Sequence, residues 1–398
     1  MTIHTTTSTD GRGRPTRGRL RRIATVVAAV CAGVTALALA VPTTASATPA
    51  TTTGTSVAVA AARHGHDAGP DARPDARLDP TRFHGVNWAD PRDNYVNGPV
   101  VLSGLSTSDD YRTTYRKADR VIREFRKDLG ADTVRLPVNP YSVGTTWWNS
   151  YRAVIDAARH RDVKVVLGYW EGSDASKDGK VDDPAAWWGM WDTLTRTYSH
   201  DSGVFFEPMN EPFGYAPADW VQLATTWVQR YTAQGIPRDR VFVSGTGYND
   251  HVDAICAAPA LDGTYVSQHY YGYWGTRNAA EWKADFESRL GDQACSNRTV
   301  LDEFGVPMTT GVDYRGSDTT GNADADNSVA FLQTVATVVR QRHLGAVYWP
   351  GLRTDDTYSL ETIRGSGSNL SLRVTNDSGL ALLHWAWGEG RRAPFAVR

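Results

Sequence analysis

Thr133-Val134-Arg135-Leu136-Pro137-Val138 is a short, mostly apolar run, and Trp147 to His160 behind it carries an amphipathic helical pattern. Lys164-Val165-Val166-Leu167-Gly168-Tyr169 repeats the first motif, Ala185 to Tyr198 repeats the second, and Gly203 to Met209 starts the cycle again. Brief apolar runs alternating with helical segments are what strands buried on both faces leave in a sequence, so the stretch reads as βα units around a parallel sheet. The cycle extends in both directions. Strands are expected at Arg82 to Trp88, Val241 to Ser244, Tyr265 to His269, Thr299 to Glu303 and Ala346 to Trp349. Helical patterns lie between them at Tyr111 to Leu129, Ala218 to Gln234, His251 to Ala257, Ala279 to Leu290 and Ser328 to Arg342. Leu129-Gly130, Gln234-Gly235 and Leu290-Gly291 put glycine where helices stop. Eight strands with intervening helices predict the α/β class and a closed (β/α)₈ TIM barrel. An open doubly wound sheet is the alternative, but no Gly-rich phosphate loop follows the first strand. From Tyr358 to Val374 polar and apolar residues alternate around Gly365-Ser366-Gly367. This predicts a small β-hairpin inserted after strand eight, before a last helix from Ser378 to Trp387.

The N-terminal part has another character. Six arginines between Arg12 and Arg22 precede an uncharged run, Ile23 to Val41, and then Ala45-Ser46-Ala47. That order is expected of a secretory signal peptide over residues 1–47. The Arg21-Arg22 pair loosely matches a twin-arginine signal, and an uncleaved membrane anchor is the alternative reading of the apolar run. Residues 48–81, poor in large apolar side chains, are expected to form a disordered linker, leaving 82–398 as the (β/α)₈ domain. Removing the leader leaves 36 basic and 43 acidic side chains, a formal charge of −7, which argues against nucleic acid as a partner. Secretion, no lasting membrane association and a monomer are the corresponding expectations. Of three cysteines, Cys31 leaves with the leader; Cys256 and Cys295 are expected to form a disulfide, with two free thiols as the alternative.

Catalytic groups of a TIM barrel stand at the C-terminal ends of its strands. Strand four runs out as Phe205-Phe206-Glu207-Pro208-Met209-Asn210-Glu211-Pro212, and strand seven as Val300-Leu301-Asp302-Glu303-Phe304-Gly305. Ionised carboxylates at the ends of apolar strands are expensive without partners, which points to function at Glu211 and Glu303.

Asn210-Glu211-Pro212 with Asp302-Glu303-Phe304-Gly305 resembles glycoside hydrolase family 5, the cellulase-like family, over most of Arg82 to Trp349. The resemblance implies hydrolysis of β-linked sugars with retention, Glu211 as acid/base, Glu303 as nucleophile, and Asn210 on the sugar 2-hydroxyl. Arg135, His269, Tyr271 and Trp349 fit the same family pattern. A guanidinium at 135 can hold Glu303 ionised, Tyr271 can donate to Glu303, and His269 can orient Glu211 or substrate. The negative charge of Glu303 is expected to raise the pKa of Glu211. One departure stands out: the family usually has a histidine at the end of strand three, where this chain reads Gly168-Tyr169-Trp170-Glu171. Glu171 is expected either to bind sugar hydroxyls or to face solvent.

Aromatic rings stack on the C–H faces of pyranoses. Trp349 is the expected floor under the scissile sugar, with Asn87, Trp88 and Trp170 as further substrate contacts and Trp274 just past strand six. No cofactor or metal is called for; Asn322 to Asn327 has a superficial likeness to a calcium loop but reads better as the cap of the following helix. A transglycosylase using the same residues, or a silent carbohydrate-binding barrel, would keep much of this pattern. Nothing in the sequence names the sugar or separates endo from exo action.

Overall fold

A computed structural model describes residues 78–172, 177–316 and 323–396. The expected leader and most of the expected linker lie outside these residues. The linker's last residues belong to the fold: Pro80–Arg82 forms a 3₁₀ turn whose Thr81 N–H is capped by Asp79.

Eight parallel strands alternate with helices. They are β1 (His84–Trp88), β2 (Thr133–Val138), β3 (Lys164–Tyr169), β4 (Val204–Glu207), β5 (Phe242–Ser244), β6 (Tyr265–His269), β7 (Thr299–Glu303) and β8 (Gly345–Leu352). They pair in the order β4-β3-β2-β1-β8-β7-β6-β5, and a parallel bridge from Phe206 to Val241 joins the two ends. The sheet closes into a (β/α)₈ barrel, which leaves no open edge among these strands. The crossovers are α1 (Tyr111–Leu129), α2 (Trp148–His160), α3 (Pro184–Tyr198), α4 (Pro217–Thr232), the short α5 (Thr246–Asn249) and α6 (Asp253–Cys256), α7 (Ala279–Glu287), the short α8 (Gln293–Ser296) and α9 (Ala323–Arg342).

Local chemistry accounts for the helix ends. Asp110 accepts the Thr113 N–H at the start of α1, and Gly130, at φ +68°, closes it in the left-handed conformation that glycine adopts without steric penalty. A reciprocal capping box of Asn278 and Glu281 starts α7. α9 begins five residues before the expected Ser328. Asp324 and Asp326 lie in its first turn, where acidic side chains favour the helix dipole. The segment expected to cap this helix thus forms its first turn instead, with Asn322 outside the described residues.

Strand alternation divides the barrel interior into two storeys. Phe83, Val166, Phe205, Phe242, Tyr265, Val300 and Val347 form an apolar plug at the N-terminal end. There Phe83 meets Phe205, Phe242 and Tyr265 edge to face at about 5 Å. Two residues further along the same strand faces stand Gly168, Glu207, Ser244, Ser267, Asp302 and Trp349. Because the plug fills the bottom, this polar storey opens only toward the C-terminal mouth.

The expected hairpin is present. β9 (Glu361–Arg364) pairs antiparallel with β10 (Ser371–Val374), and Glu361 bridges back to Leu352 of β8. The chain then enters α10 (Asp377–Ala386). Cys256 and Cys295 form a disulfide between α6 and α8. Among the described residues no helix is long and apolar enough to cross a membrane.

Candidate active site

Arg135 projects from β2 into the polar storey and is fully buried. Its Nε and Nη2 donate to Glu207 of β4 at 2.6 and 2.9 Å, Nη2 also reaches Asn210 Oδ1 at 2.8 Å, and Nη1 donates to Asn87 Oδ1 at 3.1 Å and to Glu303 Oε1. A planar fork of fixed donors suits this task, since each carboxylate is held at a set angle as well as a set distance.

Glu303 reaches the cleft through an irregularity in β7. Strand pairing steps from Gln268–Leu301 to His269–Glu303, so Asp302 is an extra residue. Such a bulge breaks the two-residue alternation and lets consecutive side chains serve one site. Asp302 turns inward toward Ser267, whose Oγ lies 2.7 Å from Asp302 Oδ1, while Glu303 faces the mouth. Burial, with the neighbouring Glu207 charge, pushes the Asp302 carboxyl well above its ordinary range. Glu303 accepts from Arg135 on one oxygen and from the Tyr271 hydroxyl, at 3.1 Å, on the other.

Glu211 sits just past β4 at φ +48°, a left-handed backbone that a side chain bearing a Cβ seldom adopts. Asn249 secures it: its Oδ1 accepts the Glu211 N–H at 3.0 Å. One Glu211 oxygen meets His269 Nδ1 at 3.0 Å and the other accepts from the Tyr95 hydroxyl at 2.7 Å. A Glu211 oxygen, a Glu303 oxygen and a His269 ring nitrogen all lie within 4.8 Å of one another.

Burial raises the Glu211 carboxyl to about 7, opposed by the Tyr95 hydrogen bond and the Arg135 charge. The carboxylate that adds to the rise is Glu207, so burial leads where the sequence pointed to the charge of Glu303. Burial raises Glu303 as well, against the pull of His269 and Arg135. It lowers His269 to about 4, leaving a neutral imidazole at pH 7.

The cleft above these groups has a volume of about 700 Å³. Trp170 and Trp349 line it, their rings 6.4 Å apart and 23° from parallel. The Arg135 guanidinium lies 4.4 Å from the Trp170 ring centre. Trp170 therefore occupies the place where the sequence departs from the family histidine. Tyr273 and Trp274 extend the lining outward, Trp274 being 74% exposed.

Three expectations need correction. Trp88 points away from the cleft: it is fully buried, edge-on to Phe125 of α1, with its Nε1 on Ser103 O. Asn87 faces the barrel interior but does not line the cleft, because its amide is spent on Asp302 O, Tyr348 O and Arg135. Glu171 neither lines the cleft nor faces solvent. It is buried and accepts the Gly179 and Lys180 N–H groups, clamping the chain that leads into α3. Tyr95, Glu207, Asn249 and Asp302 are the members of the constellation that sequence reasoning left without a role.

The cellulase family, described as glycosyl hydrolase family 5, matches residues 94–351. The chain belongs to glycosyl hydrolase family 5. It is thus a glycosidase that hydrolyses glycosidic bonds. The catalytic domain of the major endoglucanase from Xanthomonas campestris pv. campestris is similar in fold, with a TM-score of 0.55 and 17% identity over 77% of this chain and 94% of that one. An endocellulase from Pyrococcus horikoshii, in a complex with cellotetraose, gives a TM-score of 0.54 and 15% identity over 77% of this chain and 92% of that one. Among curated proteins no match is found. Within the family-5 chain, the matched segment spans β2 through β7 and ends in β8, and so takes in both cleft glutamates.

Proposed function

We propose that this family-5 glycosidase hydrolyses β-linked glucans with retention of configuration, Glu303 acting as nucleophile and Glu211 as acid/base. The observation that carries the proposal is the pairing of two carboxylates whose oxygens approach within 4.8 Å but whose partners differ. Retaining enzymes keep their two carboxyls about 5 to 5.5 Å apart, whereas inverting enzymes leave about 6.5 to 9.5 Å for a water. Glu303 takes a direct guanidinium hydrogen bond, which favours its anion. Glu211 takes none, and burial brings it to about 7, so it holds a proton near neutrality.

In the first step a Glu303 oxygen attacks the anomeric carbon, the bond to the leaving oxygen breaks with its electron pair, and that oxygen receives the Glu211 proton. In the second, water attacks the same carbon and gives its proton to Glu211 while the ester bond to Glu303 returns its electrons to the carboxylate. Asn210 lies beside the cleft in reach of the sugar, and Trp349 offers a ring face beneath it. Cello-oligosaccharides are the substrates to offer first, because the P. horikoshii endocellulase carries cellotetraose on this fold.

Export fits the same reading: the arginine-rich, apolar and Ala-Ser-Ala order of residues 1–47 describes a leader, and the Cys256–Cys295 bond suits an oxidising compartment. Incubation with a 2-deoxy-2-fluoro-β-cellobioside bearing a good leaving group tests the mechanism. The expected result is a trapped protein with the sugar on the peptide holding Glu303; a label on another residue contradicts it.

A further inference from the structure

The two oxygens of Glu211 are both approached by donors, and the direction of one can be derived. Asn249 Oδ1 accepts the Glu211 N–H, which fixes the amide so that Nδ2 is the group facing His269 Nε2 at 3.3 Å. Nε2 must then accept, and a neutral imidazole carries its proton on Nδ1, which donates to Glu211 Oε1. On the other side Tyr95 receives a hydrogen bond from Asn210 Nδ2 at 2.9 Å and passes its own proton toward Glu211 Oε2 at 2.7 Å. Asn210 is oriented in turn by Arg135. A relay therefore runs from the buried guanidinium through Asn210 to Tyr95, each group donating to the next, and the Tyr95 hydroxyl delivers the last hydrogen bond to Glu211.

Such a cage suits an anion. When Glu211 is protonated on Oε2, the Tyr95 hydroxyl already holds the Asn210 N–H and must turn its proton away, losing an acceptor. The ammonium of Lys177, 3.6 Å from the Tyr95 ring centre, makes the phenol a better donor.

We propose that Tyr95 is a positioning residue for the second half of the reaction, aiming Glu211 and favouring its ionised form so that it takes the proton of the attacking water. The proposal rests on the retaining mechanism given above. The other charged groups that bear on Glu211 are Arg135 on β2, Glu207 on β4, Glu303 on β7 and Lys177 after β3, with Asp93 in the loop that carries Tyr95. Tyr248, Tyr271 and Tyr273 add neutral phenols from the β5 and β6 loops. Among the described residues only Tyr95 and His269 hydrogen-bond the Glu211 carboxyl.

Tyr95→Phe, which removes one oxygen and keeps the ring, separates the two steps. With 2,4-dinitrophenyl β-cellobioside the leaving group needs no proton, so turnover is governed by water attack. There the variant is expected to lose about tenfold in kcat, and azide, which attacks without surrendering a proton, restores it. On an unactivated cello-oligosaccharide the alkaline limb of kcat/KM moves up by about one pH unit, because the anion has lost a donor. An unchanged kcat on the aryl glycoside, or a loss that azide does not relieve with the limb unmoved, overturns the proposal. Should the Phe variant fail to fold, 3,5-difluorotyrosine at position 95 keeps the hydroxyl, strengthens its donation and moves the limb down; no movement is contrary. Glu211→Ala in the same assay guards the underlying reading: it must yield a β-glycosyl azide. If it does not, the retaining assignment has failed, and this proposal with it.

Discussion

Arg135 on β2 donates from Nη1 directly to Glu303 Oε1 on β7, across 168 residues of sequence and the width of the barrel. The same guanidinium holds Glu207 and Asn210, so the ionisation of Glu303 and the neighbouring segment's position depend on one side chain.

Arg135→Met removes the positive charge from among buried carboxylates. Breaking a buried ion pair from one side costs about 3 to 5 kcal/mol, and the unfolding free energy in denaturant should fall by that order. Arg135→Lys keeps the charge and loses the fork; it should unfold less readily than the Met variant yet lose about a hundredfold in kcat/KM. Parallel losses of stability and activity in the two variants would contradict the separate role given to the fork.

Glu211→Gln should lower kcat/KM on cello-oligosaccharides by about 10² to 10⁴, the range for a lost general acid. It should lose much less on the first step with a dinitrophenyl glycoside, which stopped-flow release of the phenolate resolves. Glu303→Gln should fail on both substrates. Equal sensitivity of the Glu211 variant to good and poor leaving groups is the contrary outcome.

In the proposed mechanism Glu211, raised by burial to about 7, must be protonated to start the reaction. The kcat/KM profile should accordingly fall on the alkaline side with a midpoint near 7, while the acid limb reports Glu303. Replacing Glu207, the carboxylate that adds to the rise, with Gln should move the alkaline limb down; movement up, or a profile flat to pH 9, refutes the electrostatic account.

Stability carries its own pH signature at Glu361. This residue of β9 is fully buried, and neither carboxyl oxygen finds a hydrogen-bond partner among the described residues. Burial, with Asp128 and Glu124 of α1 adding and Lys127 opposing, raises it to about 8. The folded state therefore binds this proton more tightly than the unfolded chain. Its contribution is fully present below the ordinary glutamate range and is lost as pH rises through about 8. Glu361→Gln should match the parent's Tm at pH 4.5 and exceed it at pH 9. A gap that does not widen with pH argues against a buried neutral carboxyl there.

Much of the fold was readable because strand burial writes itself into sequence. β2, β3, β6 and β7 span the residues expected for them, and α1 matches its cap and glycine. Asn87 and Trp88 show how parity was underused: neighbours on one regular strand face opposite ways, so both could not line one cleft. Glu303 escapes that rule only through the bulge at Asp302, which depends on register with β6. Tyr95 could not be found from spacing, since it lies in a long loop and meets Glu211 at a separation of 116 residues. Glu207 was legible in principle as a carboxylate on a buried strand, two residues beyond the plug residue Phe205 on the same face. Its arginine partner came from another strand, and only tertiary structure pairs them.

In the proposed mechanism one carboxylate attacks the sugar while the other, close by, protonates and then deprotonates. Proton NMR of the first products released from a cello-oligosaccharide reads out that double displacement. The β-anomer should appear first, with the α-anomer growing in only through mutarotation; initial release of the α-anomer would contradict the mechanism.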